Sequence, residues 1–320
     1  MKVPILVLFT CATLASVYAT EKNITVHVAT WNVNEKKPKD TLIKLLEQQS
    51  EKDEERPDIV IVGLQEVTMN LGTAVANYFL GDKWSQKIDE TLKPNNYIKV
   101  GTGTLLGMIL NVYVKLQHAW SLDDIAVDRV MTGVAGLYGN KGGVIMKFRL
   151  HNQWFCIVNA HFHAHDQGLE LRIQDYESIN TARARFCNYP SDYVFWLGDL
   201  NFRIVENPNY PAEKILSIVK NKQYDELLEN DQLKVTKRSG HVFKDCQEAP
   251  ITFAPTFKLL VGEGEYNLER RPAWTDRVLF KSDNNKQITS ILYRSMEIYK
   301  SSDHYPVQAQ FKILVDTDKY

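Results

Sequence analysis

Cysteine is scarce in this chain, with 4 residues in 320, and charge is almost balanced, with 38 basic against 39 acidic residues and a formal net charge of -1. Beyond the first twenty residues there is no long apolar run, and nowhere is there an internal repeat or a low-complexity tract. Each scarcity excludes a class of protein. So few cysteines do not make a disulfide scaffold, and a hydrophobic core must hold the fold. The balanced charge argues against a surface built to wrap a nucleic acid, so no nucleic-acid partner is expected and any anion site is local. A second membrane span would need roughly 20 further apolar residues. With no repeat and no linker-like stretch, one domain is the economical reading.

What is present begins at the N-terminus. The stretch "MKVPILVLFTCATLASVYAT" carries Lys2, an apolar run from Val3 to Ala15, then Val17 and Ala19 at the spacing a signal peptidase accepts. We expect residues 1–19 to be a signal peptide and residues 20–320 to be the mature domain, secreted and extracellular. Cleavage removes Cys11 and leaves Cys156, Cys187 and Cys246, a set that permits one disulfide and leaves one thiol. Asn23-Ile24-Thr25 is a glycosylation acceptor sequence, usable only in the secretory pathway.

Strand and helix signals then alternate. "ITVHVATWNV" (Ile24 to Val33) alternates apolar and polar residues, Asp40 to Lys52 reads as helix, and "DIVIVGLQEV" is a continuous apolar run. "GGVIMKFRL" and "WFCIVNAHF" predict a hairpin about His151 to Gln153, and "GLELRIQDYESINTARARF" has a helical period. "YVFWLGDLNF", "AWTDRVLF" and "YPVQAQFKILV" complete the strands. The pattern predicts an α/β layered sandwich.

The chemistry collects at strand ends. Asn32 and Asn34 follow one strand, Glu66 ends the next, His161, His163 and His165 follow a third, and Asp199 with Asn201 follow a fourth; Asp276 lies in a fifth and Asp303-His304 precede a sixth. Singly, each has an ordinary reading as a turn residue, a cap or a solvated strand edge. Jointly they describe a cleft onto which a sheet converges groups from distant sequence. Oxygen ligands, Glu66 first and Asn32 beside it, suit a hard cation such as Mg²⁺ better than zinc. Histidines and a further aspartate suit hydrogen bonding to a phosphoryl oxygen and activation of water, which together make metal-assisted phosphoester hydrolysis.

In order along the chain, "TWNVN", "GLQEV", "TGVAGLYGNKGGV", "NAHFHAH", "FWLGDLNFRI", "APTFK", "RPAWTDRVLF" and "SSDHYPV" resemble the signature of the inositol polyphosphate 5-phosphatases, relatives of deoxyribonuclease I and the apurinic endonucleases. The resemblance runs from about Thr30 to Val307 and implies a single-domain, four-layer α/β/β/α sandwich of the endonuclease/exonuclease/phosphatase type. It implies a Mg²⁺ or Mn²⁺ dependent phosphatase acting on the 5-phosphate of inositol polyphosphates or phosphoinositides. Glu66 is then the principal metal ligand, completed by Asn32. Asp199 orients and deprotonates the attacking water, held by Asn201, and His161 hydrogen-bonds the scissile phosphate. His304 donates to a phosphate oxygen while Asp276 fixes its tautomer and raises its basicity, with Asp303 near the metal. Asn140 and Lys141, Lys258, Arg270 and His165 make up the substrate-binding side.

The sequence departs from that family where tyrosine is usual and this chain has Phe257, where a second lysine is common and it has Leu268, and where Ile173 stands for asparagine. None of the three touches the metal or water groups, so hydrolysis with an altered substrate preference is expected. The leader and the compact catalytic domain are similar to those of the salivary members of this family in blood-feeding bugs. The implied partners are an inositol phosphate head group and, transiently, a membrane surface, and a monomer is expected. A competing class stays open, because the same fold in a bed bug salivary protein carries haem and nitric oxide through a cysteine thiolate. A secreted nuclease sharing "GDLN" and "SDH" is a further alternative, disfavoured by the near-neutral charge.

Overall fold

The structure, a computed structural model, describes residues 20–68, 82–133, 141–205 and 209–317. The predicted signal peptide, its cleavage site and Asn140 lie outside the described residues. Strands β1 (Thr20–Asn32), β2 (Ile59–Gln65), β3 (Tyr97–Leu105), β4 (Met108–Lys115), β10 (Ile288–Ser295) and β11 (Val307–Thr317) form one sheet in the order β10-β11-β1-β2-β4-β3. Strands β5 (Leu122–Met131), β6 (Gly142–Leu150), β7 (Gln153–His161), β8 (Tyr193–Asp199) and β9 (Asp276–Lys281) form the other, in chain order.

Period-two alternation explains the layering. Val26, Val28, Phe155, Ile157, Phe195 and Leu197 share the core between the sheets, while Ala29 and Trp31 pack on one outer side and Cys156, Val158 and Trp196 on the other. Both outer faces are covered. Helix α1 (Lys83–Leu92) places Trp84, Ile88 and Leu92 on the first sheet, and helix α2 (Leu169–Phe186) places Ile179 on the second. The remaining helices, α3 (Ala212–Lys220), α4 (Tyr224–Leu228) and α5 (Gln232–Arg238), are short. Strands buried on both faces must read as continuous apolar runs, which is why β2 and β8 look hydrophobic throughout. Among the described residues, no helix is long and apolar enough to cross a membrane.

Two expectations need correction. Asp40 to Lys52 is not a helix: one turn closes with the Leu46 N–H donating to the Leu42 carbonyl, and Glu47 at φ +51° ends it. The apolar spacing there serves instead to bury Leu42, Leu45 and Leu46 against Trp31 and Tyr299. Nor does the β8 strand break at Gly198. It runs through to Asp199, with Gly198 at φ +146°, where a Cβ would lie 1.9 Å from the Ala160 carbonyl oxygen. The glycine lets β7 approach, and no larger residue fits.

The hairpin is as predicted, with His151 and Asn152 both at positive φ, the conformation a two-residue turn needs to match strand twist. Cys156 and Cys187 form a disulfide tying β7 to the end of α2, and Cys246 is a free, buried thiol.

Candidate active site

Topology sets the position of the site. Only β1 with β2 and β7 with β8 run parallel, and each pair ends in register, Asn32 beside Gln65 and His161 beside Asp199. The carboxyl ends of parallel strands present unpaired backbone and the first loop residues together, so they are natural places for a cleft. Because β1 packs on β8 and β9, and β2 on β7 and β8, the two pairs deliver their ends to the same pole. The antiparallel neighbours complete it: Asp276, first residue of β9, pairs with Asp199, and His304 lies just before β11.

Asp199 is the centre. Its Oδ2 accepts from the Asn32 amide at 3.0 Å and its Oδ1 from the Asn201 backbone N–H at 3.1 Å. Asn201 sits at φ +55°, a conformation asparagine tolerates, and its amide donates to the Phe162 carbonyl at 3.0 Å. His161 Nε2 stands 3.4 Å and His304 Nε2 4.0 Å from Oδ2. Burial alone would raise the Asp199 carboxyl; His161 and the charges of His304 and Lys141 outweigh it and hold it well below the usual carboxylate range. The carboxylate is therefore ionised across the physiological range.

His304 has the opposite character. Its Nδ1 lies 2.8 Å from Asp276 Oδ2, which also accepts from the Thr256 hydroxyl at 2.6 Å and the Thr275 hydroxyl at 2.9 Å. Burial would lower this imidazole, but Asp276 outweighs it, Asp199 and Asp303 add to the same side, and the pKa is pushed up to about 9. A buried imidazolium with Nε2–H turned toward Asp199 is a cationic donor aimed into the cleft. The Trp31 indole N–H holds the His304 carbonyl at 3.0 Å.

On the other side, Glu66 follows β2 at φ +54°, its carboxylate 3.7 Å from His161 Nε2. Glu66, His161 and Asp199 place one ligand atom each within 4.8 Å of one another, as do Asp199, Asp276 and His304. Asp276 Oδ1 is buried without a hydrogen-bond partner. Two carboxylates, an imidazole and this orphaned oxygen fit a cation that prefers oxygen. Asn32 reaches the site through its amide nitrogen, while its carbonyl oxygen accepts the Asn34 N–H at 3.0 Å and keeps one lone pair for a metal.

Lys141 Nζ approaches His161 Nε2 to 2.5 Å. Burial lowers both groups, and the Lys141 ammonium lowers His161 further, so His161 is neutral and accepts from the lysine. Lys258 and Arg270 stand at the rim, Lys258 Nζ 3.7 Å from Asp303 Oδ2. Asp303 thus pairs with a substrate-side lysine and belongs to neither candidate metal cluster. His165 is exposed, at φ +69°; burial, Arg270 and Arg203 all lower its imidazole.

Sequence reasoning passed over several residues. Thr256 and Thr275 load Asp276, Ser302 accepts from the His304 N–H at 3.2 Å, and Arg203 donates to the Asn201 carbonyl at 3.0 Å and to its side-chain oxygen. The motif "DLNFR" contained Arg203 in plain view, and an arginine two residues beyond a catalytic asparagine was the available signal. His163 is turned away from the cleft, its Nδ1 2.8 Å from Asp175 on α2.

Residues 29–310 match Endonuclease/Exonuclease/phosphatase family 2. The chain belongs to this family. It is 34% identical over 307 residues to the phosphatidylinositol 4,5-bisphosphate 5-phosphatase A of Mus musculus, aligned over 89% of this chain and 30% of that protein. The chain spans about three tenths of the length of the first curated relatives it matches. Among solved structures it is similar to the inositol polyphosphate 5-phosphatase domain of a synaptojanin in complex with inositol (1,4)-bisphosphate and calcium ion, with TM-score 0.80, 26% identity, and coverage of 94% of this chain and 87% of that one. It is also similar to a Cimex nitrophorin ferrous NO complex, with TM-score 0.76, 27% identity, and coverage of 92% and 99%. The expected endonuclease/exonuclease/phosphatase fold, two mixed sheets between helices in one domain, is therefore the observed one.

Proposed function

We propose that this chain is a secreted, metal-dependent phosphatase that removes the 5-phosphate of inositol polyphosphates or of phosphoinositide head groups. One observation carries the reading: Asp199 belongs to two clusters at once, a metal-suited one with Glu66 and His161 and a proton-bearing one with Asp276 and His304. Hydrolysis of a phosphomonoester needs both an electrostatic clamp on the phosphoryl oxygens and a group that orients water. The 5-phosphatases among its relatives support the substrate class.

The chain's own groups divide the work. Asp199, ionised and fixed by Asn32 and Asn201, accepts a hydrogen bond from the attacking water and aligns it. His304, cationic through Asp276, donates from Nε2 to a phosphoryl oxygen, and its charge offsets what builds up there. Lys141 and His161 line the opposite wall, with Lys258 and Arg270 reaching the other phosphates of the ring. Glu66, with Asn32 and Asp199, would hold Mg²⁺, which supplies Lewis-acid polarisation of the phosphate when bound. The Cys156–Cys187 disulfide supports an oxidising compartment and hence secretion.

A second reading, a haem or nitric oxide carrier on the same fold, is favoured by the nitrophorin similarity. Against it, two of the three mature cysteines are paired, and burial pushes the Cys246 thiol up to about 11, which disfavours a thiolate ligand. The deciding experiment measures phosphate release from inositol 1,4,5-trisphosphate and from phosphatidylinositol 4,5-bisphosphate vesicles, after chelation and after return of Mg²⁺ or Mn²⁺. Release that follows the metal supports the phosphatase, and the preferred substrate separates soluble from lipid action. No release from either, together with a Soret band on adding haem, overturns it.

A further inference from the structure

We propose that the Phe257 ring is a positioning element that gathers the cationic side chains of Arg203, Arg270, Lys258 and His304 around the anionic substrate. This inference rests on the phosphatase reading above and adds a residue whose role would be electrostatic despite its apolar side chain.

The geometry is unusual for a phenylalanine. The Arg203 guanidinium carbon lies 4.6 Å from the ring centroid, that of Arg270 5.8 Å, the Lys258 ammonium 6.0 Å, and the His304 ring centroid 4.5 Å. Like charges held this close repel one another, and something must offset the repulsion before substrate arrives. The negative face of an aromatic ring does so without competing for phosphate as a carboxylate would.

Arg203 states the case most clearly. It is buried, its Nε and Nη2 are bound to Asn201, and its Nη1 is buried with no hydrogen-bond partner. An unsatisfied guanidinium nitrogen in the interior is costly, and contact with the ring is the compensation on offer. Burial lowers this arginine to about 10, Asp199 resists, and Arg270 adds to the lowering, so the two arginines do feel each other.

Backbone pairing fixes the ring. Phe257 bridges to Ala273 on one side and to His304 on the other, with the Ala273 N–H donating to the Phe257 carbonyl at 2.9 Å. The Leu259 N–H donates to the Asp303 carbonyl at 2.9 Å, so the segment is zipped against both catalytic loops. A ring held this way transmits its position directly to His304 and Arg203.

The test replaces Phe257 with mono-, di- and trifluorophenylalanine, which weaken the negative face with little change in shape, beside Phe257→Leu and Phe257→Tyr. Affinity for inositol 1,4-bisphosphate is measured by calorimetry at low salt. We expect a graded loss along the fluorinated series reaching about tenfold, a similar loss in Phe257→Leu, and affinity within about twofold of the parent in Phe257→Tyr. In turnover of the trisphosphate the same series should raise KM more than it lowers kcat. A flat series, or a Phe257→Tyr loss as large as that of Phe257→Leu, overturns the proposal and leaves the ring as filler. If the parent protein binds and cleaves no inositol phosphate, the phosphatase reading fails; the inference is then judged on thermal midpoint alone, which must fall along the series at low salt and recover at high salt.

Discussion

Two carboxylate–histidine pairs lie at opposite ends of the same strands. At the site, His304 Nδ1 is 2.8 Å from Asp276; at the far pole, just before β2 and after β4, His118 Nε2 is 3.0 Å from Asp58. As pairs they are nearly the same. The third group differs. The free nitrogen of His304 faces a second carboxylate, Asp199, whereas His118 Nδ1 meets another imidazole, His151 Nε2, at 2.8 Å. One arrangement stabilises a charge aimed into a cleft, while the other passes a single hydrogen between neutral rings and ties the β6–β7 turn to the segment after β4. A buried carboxylate–histidine pair does not by itself make a site; what faces the second nitrogen decides its role.

The largest test of that contrast removes the third group. Asp199→Ala should cut kcat/KM for inositol 1,4,5-trisphosphate by about 10³-fold or more. His118→Ala should leave turnover within about threefold but cost about 1 to 3 kcal/mol in urea unfolding, because Asp58 loses a buried partner. Comparable activity losses in the two variants would abolish the distinction between the poles.

His27 sharpens the comparison as a buried histidine with no carboxylate at all. Its Nε2–H donates to the Leu45 carbonyl at 2.8 Å, Nδ1 has no partner, and burial lowers its pKa to about 4. A depressed folded pKa favours the neutral ring, so its contribution is complete above about 6.5 and is lost as pH falls toward 4. The shift corresponds to about 3 kcal/mol of stability. Urea midpoints between pH 7 and 4 should show that loss in the parent and not in His27→Gln.

The next effect is on His304. With its folded pKa raised to about 9, the imidazolium is fully formed below the ordinary histidine range and lost as pH rises through 9. Activity should therefore fall above pH 9, and Asp276→Asn should move that limb to lower pH while reducing kcat about thirtyfold. An unmoved limb would mean that another group titrates.

The sequence carried the site better than it carried the fold's local detail. Asn32, Glu66, His161, Asp199, Asp276 and His304 were legible because each ends or begins an apolar strand, and a strand end is a strong signal. Asp40 to Lys52 misled for a physical reason: residues that must face a core at three- to four-residue spacing look helical whether or not the backbone hydrogen bonds close. The Gly198 conformation was illegible because its cause, the Ala160 carbonyl on a neighbouring strand, is distant in sequence. Arg203 and Thr256 were missed because they touch other protein groups, and no local pattern marks such contacts.

The smallest expected effect concerns charge at the rim. Leu268 lies in a turn tied to the Lys258 segment, since the Asn267 N–H donates to the Lys258 carbonyl at 2.9 Å and the Arg270 N–H donates to the Asn267 carbonyl at 3.3 Å. A lysine here would join the cations beside Phe257 without touching Asp199 or His304. Leu268→Lys should lower KM for the trisphosphate about threefold at low salt, and the gain should fade as ionic strength rises past the physiological range, because an exposed charge is screened beyond about 8 Å. Leu116→Lys, an exposed position at the far pole, is the matched control and should change nothing. Equal gains in both variants would mean that the whole surface steers the substrate; a gain confined to Leu268→Lys would mean that charge acts only where His304 and Asp199 already define a pole.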